Sequence, residues 1–441
     1  MTKYLNNTLA NIKIKKNNFF FFLFIILFVA LLVLVKADLV GSLSLIFVAL
    51  ITFYFSRYYK SLATILYVAL CVRLVTIFFG NFFLILPDSW GDATLFELRA
   101  WEFSQDGFFG VFNYFPSDRT SLFVSWILAF FYSLTDRSVI MGQSLSLLLG
   151  MGSVLLGSRL AHKIWSEEIS IKVGWILALY PTLVLYSCLI LREAYVWFFL
   201  LVAFYGVVSW SRDGGFKAII ISFIGFSGAT FFHGGMFIGV LVFLVILVIT
   251  SSIQILTKLK YFKINTNLLF VLILSIISIF YLILNSDSIP KIGSLKTMIQ
   301  VEVIVDEISN RNINRAAFPE WTIPKTGFEL IYKAPIRIIY FVFSPFLWDI
   351  TQINHIFGFF DGLFHMILFF LLIKNFKLIW RDQTLRFILI ILTFYLIFYG
   401  LATGNFGTGL RHRTKFIIIL ILMVAPWIPK IPKLVFNKKN Y

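Results

Sequence analysis

Apolar residues run through this chain in long unbroken blocks, not in the alternating or one-faced patterns of soluble strands and helices. A block of about 17 residues or more is long enough to carry a helix through the bilayer core. Such blocks predict helices at 18–35, 40–56, 62–86, 139–158, 170–190, 194–210, 217–232, 236–255, 268–285, 353–373, 386–402 and 414–429. The predicted fold class is all-α: one polytopic helical membrane domain over 1–441, with about twelve transmembrane helices and interfacial helices in two long loops, 87–138 and 286–352. Lys13, Lys15 and Lys16 before the first block resemble the start of a signal sequence. No small-residue cleavage site follows and the second block comes at once, so an uncleaved anchor is expected.

One block does not fit the count. Residues 121–134 (SLFVSWILAFFYSL) are apolar enough to span. If they did, Arg159 and Lys163 would move to the outer side and every later loop would invert. The segment is therefore read as a helix lying in the outer interface or dipping back into the membrane.

Composition agrees with the pattern. The 441 residues are 60% hydrophobic and 13% charged, where a soluble chain carries roughly a quarter charged residues. The net charge of +17 is a matter of sidedness. With the N-terminus inside, the inner segments and their edges hold 22 of the 38 Lys and Arg but only 4 of the 21 Asp and Glu. That asymmetry is the positive-inside signal, so the charge reads as topology and not as a nucleic-acid footprint. Both termini are expected in the cytoplasm. Arg73 and Asp361 remain within spans. Cys71 and Cys188 lie in apolar blocks and read as packing residues. The sequence shows no Walker loop, no GxSxG and no His/Cys metal spacing, so no cofactor and no metal is expected.

Under this topology every polar cluster of interest falls on the outer face. The first is Pro87-Asp88-Ser89-Trp90-Gly91-Asp92, leading into an amphipathic stretch that contains Glu97 and ends near Gly107. A carboxylate there can accept a proton from a sugar hydroxyl; equally, Asp92 can be a residue favoured at a helix N-terminus. The second is Arg192-Glu193 at a turn between spans, read either as a phosphate contact or as charges placed at the interface. The third is His233-Gly234-Gly235, where His233 is a proton carrier or a plain turn histidine. The fourth is Gly404 to Lys415, a glycine-rich turn entering the last span with Arg411, Arg413 and Lys415 on the outer side. Cations there run against the positive-inside rule, and a diphosphate or lipid headgroups would account for them. Loop 286–352 adds Arg311, Arg315, Lys325, Lys333 and Arg337, then an apolar stretch interrupted by Pro345 that reads as interfacial or re-entrant.

Asp92, Phe96 and Ala100, with Gly107 shortly after, resemble the first outer loop of GT-C glycosyltransferases, as does Pro181 to Glu193. The segments SPFLWD (344–349) and GNFGTGLRHRTKF (404–416) look more like Wzy-type O-antigen and surface-polysaccharide polymerases. Both resemblances imply an enzyme of the bacterial cytoplasmic membrane, working at its outer face on undecaprenyl-diphosphate-linked glycans as donor and acceptor. Membrane lipid surrounds it, a chain-length regulator is a candidate partner, and no nucleic acid is involved. The chemistry then expects Asp92 as base, with Asp88, Glu97 and His233 as second choices. The departing diphosphate would be held by Arg411, Arg413 and Arg192, with Lys415 and Arg337 beside them. Two alternatives stay open: a GT-C transferase moving a single sugar from a polyprenyl phosphate carrier, and a lipid-linked-oligosaccharide flippase. Against the flippase stand the want of a convincing internal repeat and the scarcity of charges within spans.

Overall fold

The computed structural model describes Phe21, Ile25 and residues 38–117, 120–259, 266–285, 301–310 and 316–429. The expected first span (beyond Phe21 and Ile25), the tails 1–17 and 430–441, and Arg311 and Arg315 lie outside the described residues. Among the described residues the chain is helical, without a strand. In chain order the helices are α1 (Leu39–Tyr58), α2 (Ala63–Phe82), α3 (Asp92–Ser104), α4 (Phe123–Leu134), α5 (Val139–Ile164), α6 (Glu167–Leu179), α7 (Pro181–Tyr186) and α8 (Glu193–Asp213). There follow α9 (Phe216–Phe232), α10 (Phe237–Leu259), α11 (Thr266–Leu284), α12 (Val301–Asn310), α13 (Gly327–Phe343), α14 (Ile353–Lys374), α15 (Phe376–Arg381), α16 (Gln383–Ala402) and α17 (Phe406–Val424).

Among the described residues, seven helices are long and apolar enough to cross a membrane; they are centred on α1, α2, α5, α8, α10, α14 and α16. Shorter apolar helices are α4, α9 and the bulk of α11. Many large apolar side chains point outward, among them Phe47, Phe79, Phe270, Phe280 and Phe370. A soluble protein does not leave so much apolar surface uncovered; this is the surface of a membrane-embedded protein.

Two expected elements differ. The span at 170–190 is not one helix: α6 stops at Leu179, α7 is a six-residue turn of helix, and residues 187–192 are irregular. Pro181 has no N–H to donate, and it disfavours helical backbone at the residue before it; Tyr180 accordingly adopts φ −64°, ψ 119°. The last helix begins at Phe406, eight residues before the expected start at 414, because Asn405 caps it by accepting from Thr408 N at 2.8 Å. The glycine-rich turn is thus the first turns of a helix. The apolar stretch of loop 286–352 is interrupted at Pro345 as expected: α13 ends at Phe343 and a single turn follows at Leu347–Asp349; α13 packs against α14, α16 and α17. Residues 121–134 form α4, twelve residues and so about 18 Å long, short of the ~30 Å bilayer core; it lies against α3.

Helix α17 is the axis of the fold. Residues from Arg413 to Val424 are buried without a gap, as expected of a helix surrounded by others. It packs on α8, α13, α14 and α16, while α8 packs on α5 and α9. The break after α6 is repaired by Arg73 of α2. Its guanidinium donates to the C-terminal carbonyls of Leu177 (3.2 Å) and Ala178 (2.9 Å), to Ala69 O, and to Ser187 Oγ (2.9 Å). A helix ended inside the bundle leaves carbonyls without partners and a negative dipole end, and a buried arginine answers both.

The connections sort to two ends. At one end, Asp38 caps α1 and accepts from Ser138 Oγ, the cap of α5. Tyr395 of α16 reaches Met236 O there, and Phe318 and Phe406 exchange backbone bonds with Gly404 and Ala316. At the other end, Lys163 pairs with Asp213 at 2.7 Å, Lys172 donates to Ile428 O, and Ser211 meets Thr384. Loops that the alternation of spans assigns to one side do meet at one end.

Candidate functional site

The first end carries a connected network of charged and aromatic groups from loops far apart in sequence. It is built on three helix starts and one strained turn. The turn before α3 holds Asp88 at φ 58° and Gly91 at φ 71°. A left-handed aspartate costs of order 1–3 kcal/mol unless its surroundings enforce it; here Asp88 Oδ2 accepts from the Tyr186 hydroxyl at 2.7 Å. Asp92 then opens α3, and Glu193 opens α8.

Arg411 of α17 joins them. Its Nη1 donates to Asp92 Oδ2 at 2.8 Å, and its Nε and Nη2 donate to Glu193 Oε1 at 3.3 and 3.2 Å. Asp88 lies within electrostatic range of the same guanidinium. The three partners differ in access: the Asp92 side chain is 43% exposed, that of Arg411 17% and that of Glu193 0%. Asp92 is the most open of the three, and Asp88 beside it is exposed as well. Glu193 is the buried counter-charge that orients Arg411.

A cationic and aromatic side continues inward. Arg192 and Lys415 lie within electrostatic range of Glu193. Lys415 Nζ meets His412 Nδ1 at 2.7 Å and sits 5.5 Å from the centre of the Tyr399 ring. The Tyr399 hydroxyl meets His233 Nδ1 at 2.7 Å, and the His412 ring lies 5.1 Å from both His233 and Tyr399. The tight turn at Gly234–Gly235 is a steric requirement: a Cβ on Gly235 would come within 2.7 Å of the Tyr399 oxygen. Arg192 is buried, and its Nε and Nη1 have no acceptor among the described residues; neither has Glu193 Oε2 a donor. Buried unsatisfied groups of opposite sign at one place are costly and point to a site held ready for a polar partner.

Asp88, Asp92, Arg192, His233, Arg411 and Lys415 are therefore brought together. Three other expected site residues are not. Arg413, two positions after Arg411, points into the bundle. Its Nε donates to Asp361 Oδ2 at 2.7 Å, and its other nitrogens bond Gly358 O, Val342 O and Ser344 O. Asp361 also accepts from Tyr180 and Thr182 and lies beside His365. A guanidinium with these partners, 1% exposed, has no donor to offer a diphosphate. Arg337 is buried elsewhere: its Nη2 donates to Thr403 O at 2.6 Å and Leu401 O at 3.4 Å, closing the C-terminus of α16, while its Nε and Nη1 have no acceptor among the described residues. Glu97 accepts two bonds from Arg137 (2.9 and 2.7 Å) and one from Tyr132, which also donates to Ser138 O. That ties α3 to the α4–α5 turn; the hydrogen bond to Glu97 is the largest influence holding the Arg137 guanidinium above its ordinary pKa. Its carboxylate is taken up by these contacts.

Reading the chain as a string missed Glu193 as a member of the site, and with it Tyr186, Tyr399 and His412. Glu193 carried a signal, a carboxylate beside Arg192 at a span end. Tyr186 and Tyr399 carried none, because each sits in an apolar block. Among the described residues no group of three or more His, Cys, Asp or Glu side chains is arranged to hold a metal ion.

Compared with models of known protein families, with curated proteins and with solved structures, the chain matches none.

Proposed function

We propose that the chain is a membrane glycosyltransferase that polymerises undecaprenyl-diphosphate-linked oligosaccharide repeats at the outer face of the bacterial cytoplasmic membrane. The single observation that supports this reading best is the partly exposed Asp92 carboxylate beside the half-buried Arg411 and the buried Arg192 and Lys415, at one end of an apolar helix bundle. Glycosyl transfer from a diphosphate needs that pairing: a base for the acceptor hydroxyl and positive charge for the leaving group. In the proposed step the acceptor oxygen bonds the anomeric carbon and its proton passes to Asp92. The bond from that carbon to the diphosphate oxygen breaks, and the electron pair leaves with the diphosphate toward Arg192 and Lys415. Arg411 holds Asp92 in position through its second carboxylate, Glu193. The lipid lies along the apolar helix faces, with α3 and α4 at the interface; the count of about twelve spans with both termini inside belongs to this proposal.

A second reading, a GT-C transferase moving one sugar, is favoured by the place of Asp92 at the start of an amphipathic helix after a strained turn. One experiment separates the readings. In cells lacking the chain, the polymerase reading expects single repeat units to accumulate on the lipid carrier, with restoration by the wild-type gene but not by Asp92→Asn. An intact polymer lacking one branch sugar would replace it with the single-sugar transferase. Repeat units trapped on the inner leaflet would reject both and favour a flippase, and unchanged surface glycan would reject all three.

A further inference from the structure

The geometry points to a binding site for an anionic two-chain phospholipid at the end of the bundle opposite the Asp92–Arg411 network, where an apolar groove between α14, α15 and α16 runs into a group of unpaired cations. It concerns how the protein sits in a membrane and is independent of the glycan chemistry.

The groove has a volume of about 450 Å³ and is almost wholly apolar; Leu372, Phe376, Trp380, Leu389, Thr393 and Leu396 line it. Its mouth is shaped by α15, a short turn of helix that puts Phe376 and Trp380 side by side, ring centres 5.7 Å apart and nearly parallel. Amphipathic rings of this kind settle at the headgroup level of a bilayer. The cations follow directly along the chain. Lys374, Lys377 and Arg381 are exposed, each next in sequence to a groove residue (Ile373, Phe376 and Trp380), and Arg386 lies 5.9 Å from the Trp380 ring. None of the four has a carboxylate within 4 Å among the described residues. Asp382 is the one acid in the stretch 374–386, and its Oδ1 is taken by Leu385 N as the cap of α16.

These two features select one occupant. Inside a membrane an apolar groove gains little from apolar contents as such, because lipid tails are as apolar as the groove. It gains by shape, so it holds chains. The cations supply discrimination, since each basic residue near an anionic lipid surface contributes about fivefold in binding. A zwitterionic lipid of the same tails fits the groove but leaves the charges unanswered. A soluble anion answers the charges and leaves the groove empty.

The test uses the full chain in neutral detergent, titrated with dioleoylphosphatidylglycerol or dioleoylphosphatidylcholine. Bound lipid is counted by native mass spectrometry and the thermal midpoint is followed in parallel. Phosphatidylglycerol is expected to stay bound and raise the midpoint, and phosphatidylcholine to do neither. Lys377→Glu with Arg381→Glu, both exposed and outside the bundle, should weaken phosphatidylglycerol at least tenfold. Thr393→Trp, which fills the groove from an exposed position, should displace it with the cations intact. Lys258→Glu, an exposed cation at the same end, should change nothing. Equal binding of the two lipids, undiminished binding in either groove variant, or an equal loss in Lys258→Glu would overturn the site. Glycan synthesis is not read in this assay, so its outcome does not bear on the proposed reaction.

Discussion

Arg411 Nη1 lies 2.8 Å from Asp92 Oδ2, a contact made across 319 residues of sequence. It joins the start of α3 to helix α17 and holds the Asp92 carboxylate in one orientation. With Glu193 on its other side, Arg411 is shared by two acids.

If that contact positions the base, its two members act as a unit. Arg411→Ala and Asp92→Asn should each lower transfer by about 10²–10³-fold, the scale for losing one preorganised charge. The double variant should be little worse than the poorer single one. Single-turnover transfer from a polyprenyl-diphosphate-linked donor by protein in nanodiscs measures this; fully multiplicative losses would mean that the two act separately.

Arg413 should behave differently although it is two residues away. Arg413→Ala leaves Asp361 buried without its cation and several backbone carbonyls without a donor. Breaking a buried pair from one side costs about 3–5 kcal/mol. The expected outcome is a sharp fall in folded yield and thermal midpoint by fluorescence-detected gel filtration. Arg411→Ala, which leaves the buried Glu193 with Arg192 and Lys415 still within electrostatic range, should fall less in the same experiment.

Arg73 has a matching test. Arg73→Lys keeps the charge but replaces a planar fork with one ammonium, which cannot serve Leu177, Ala178, Ala69 and Ser187 together. It should lower the thermal midpoint and expose Cys188, which lies fully buried beside it, to a membrane-permeant maleimide. Unchanged labelling would contradict the role given to Arg73.

Glu97→Gln should separate structure from chemistry within α3. Arg137 is 40% exposed, so solvent screening limits the loss to about 1 kcal/mol. Transfer activity should persist within a few-fold. A loss on the scale of Asp92→Asn would return Glu97 to the list of bases.

Sidedness is measurable independently. A cysteine introduced at Ser89 should react with an impermeant reagent added from outside, and one introduced at Ser166 should not. The reverse would place the Asp92–Arg411 network in the cytoplasm and end the proposed reaction.

Sequence alone determined the class of the fold. Where the surroundings cannot hydrogen-bond a backbone only helices and closed barrels span, and unbroken apolar blocks lack the alternation of barrel strands; the skew of Lys and Arg ordered their ends. That ordering was enough to gather Asp88, Asp92, Arg192, His233, Arg411 and Lys415 as candidates for one site. Tertiary structure decided which way each side chain turned. Arg411 and Arg413 stand two apart in the same motif, but a helix rotates about 200° over two residues, so one faces the network and the other the bundle core. The break at Tyr180–Pro181 was written locally in the proline. Its repair by Arg73, more than a hundred residues away, was not, because a hydrogen bond between distant segments leaves no trace in either one.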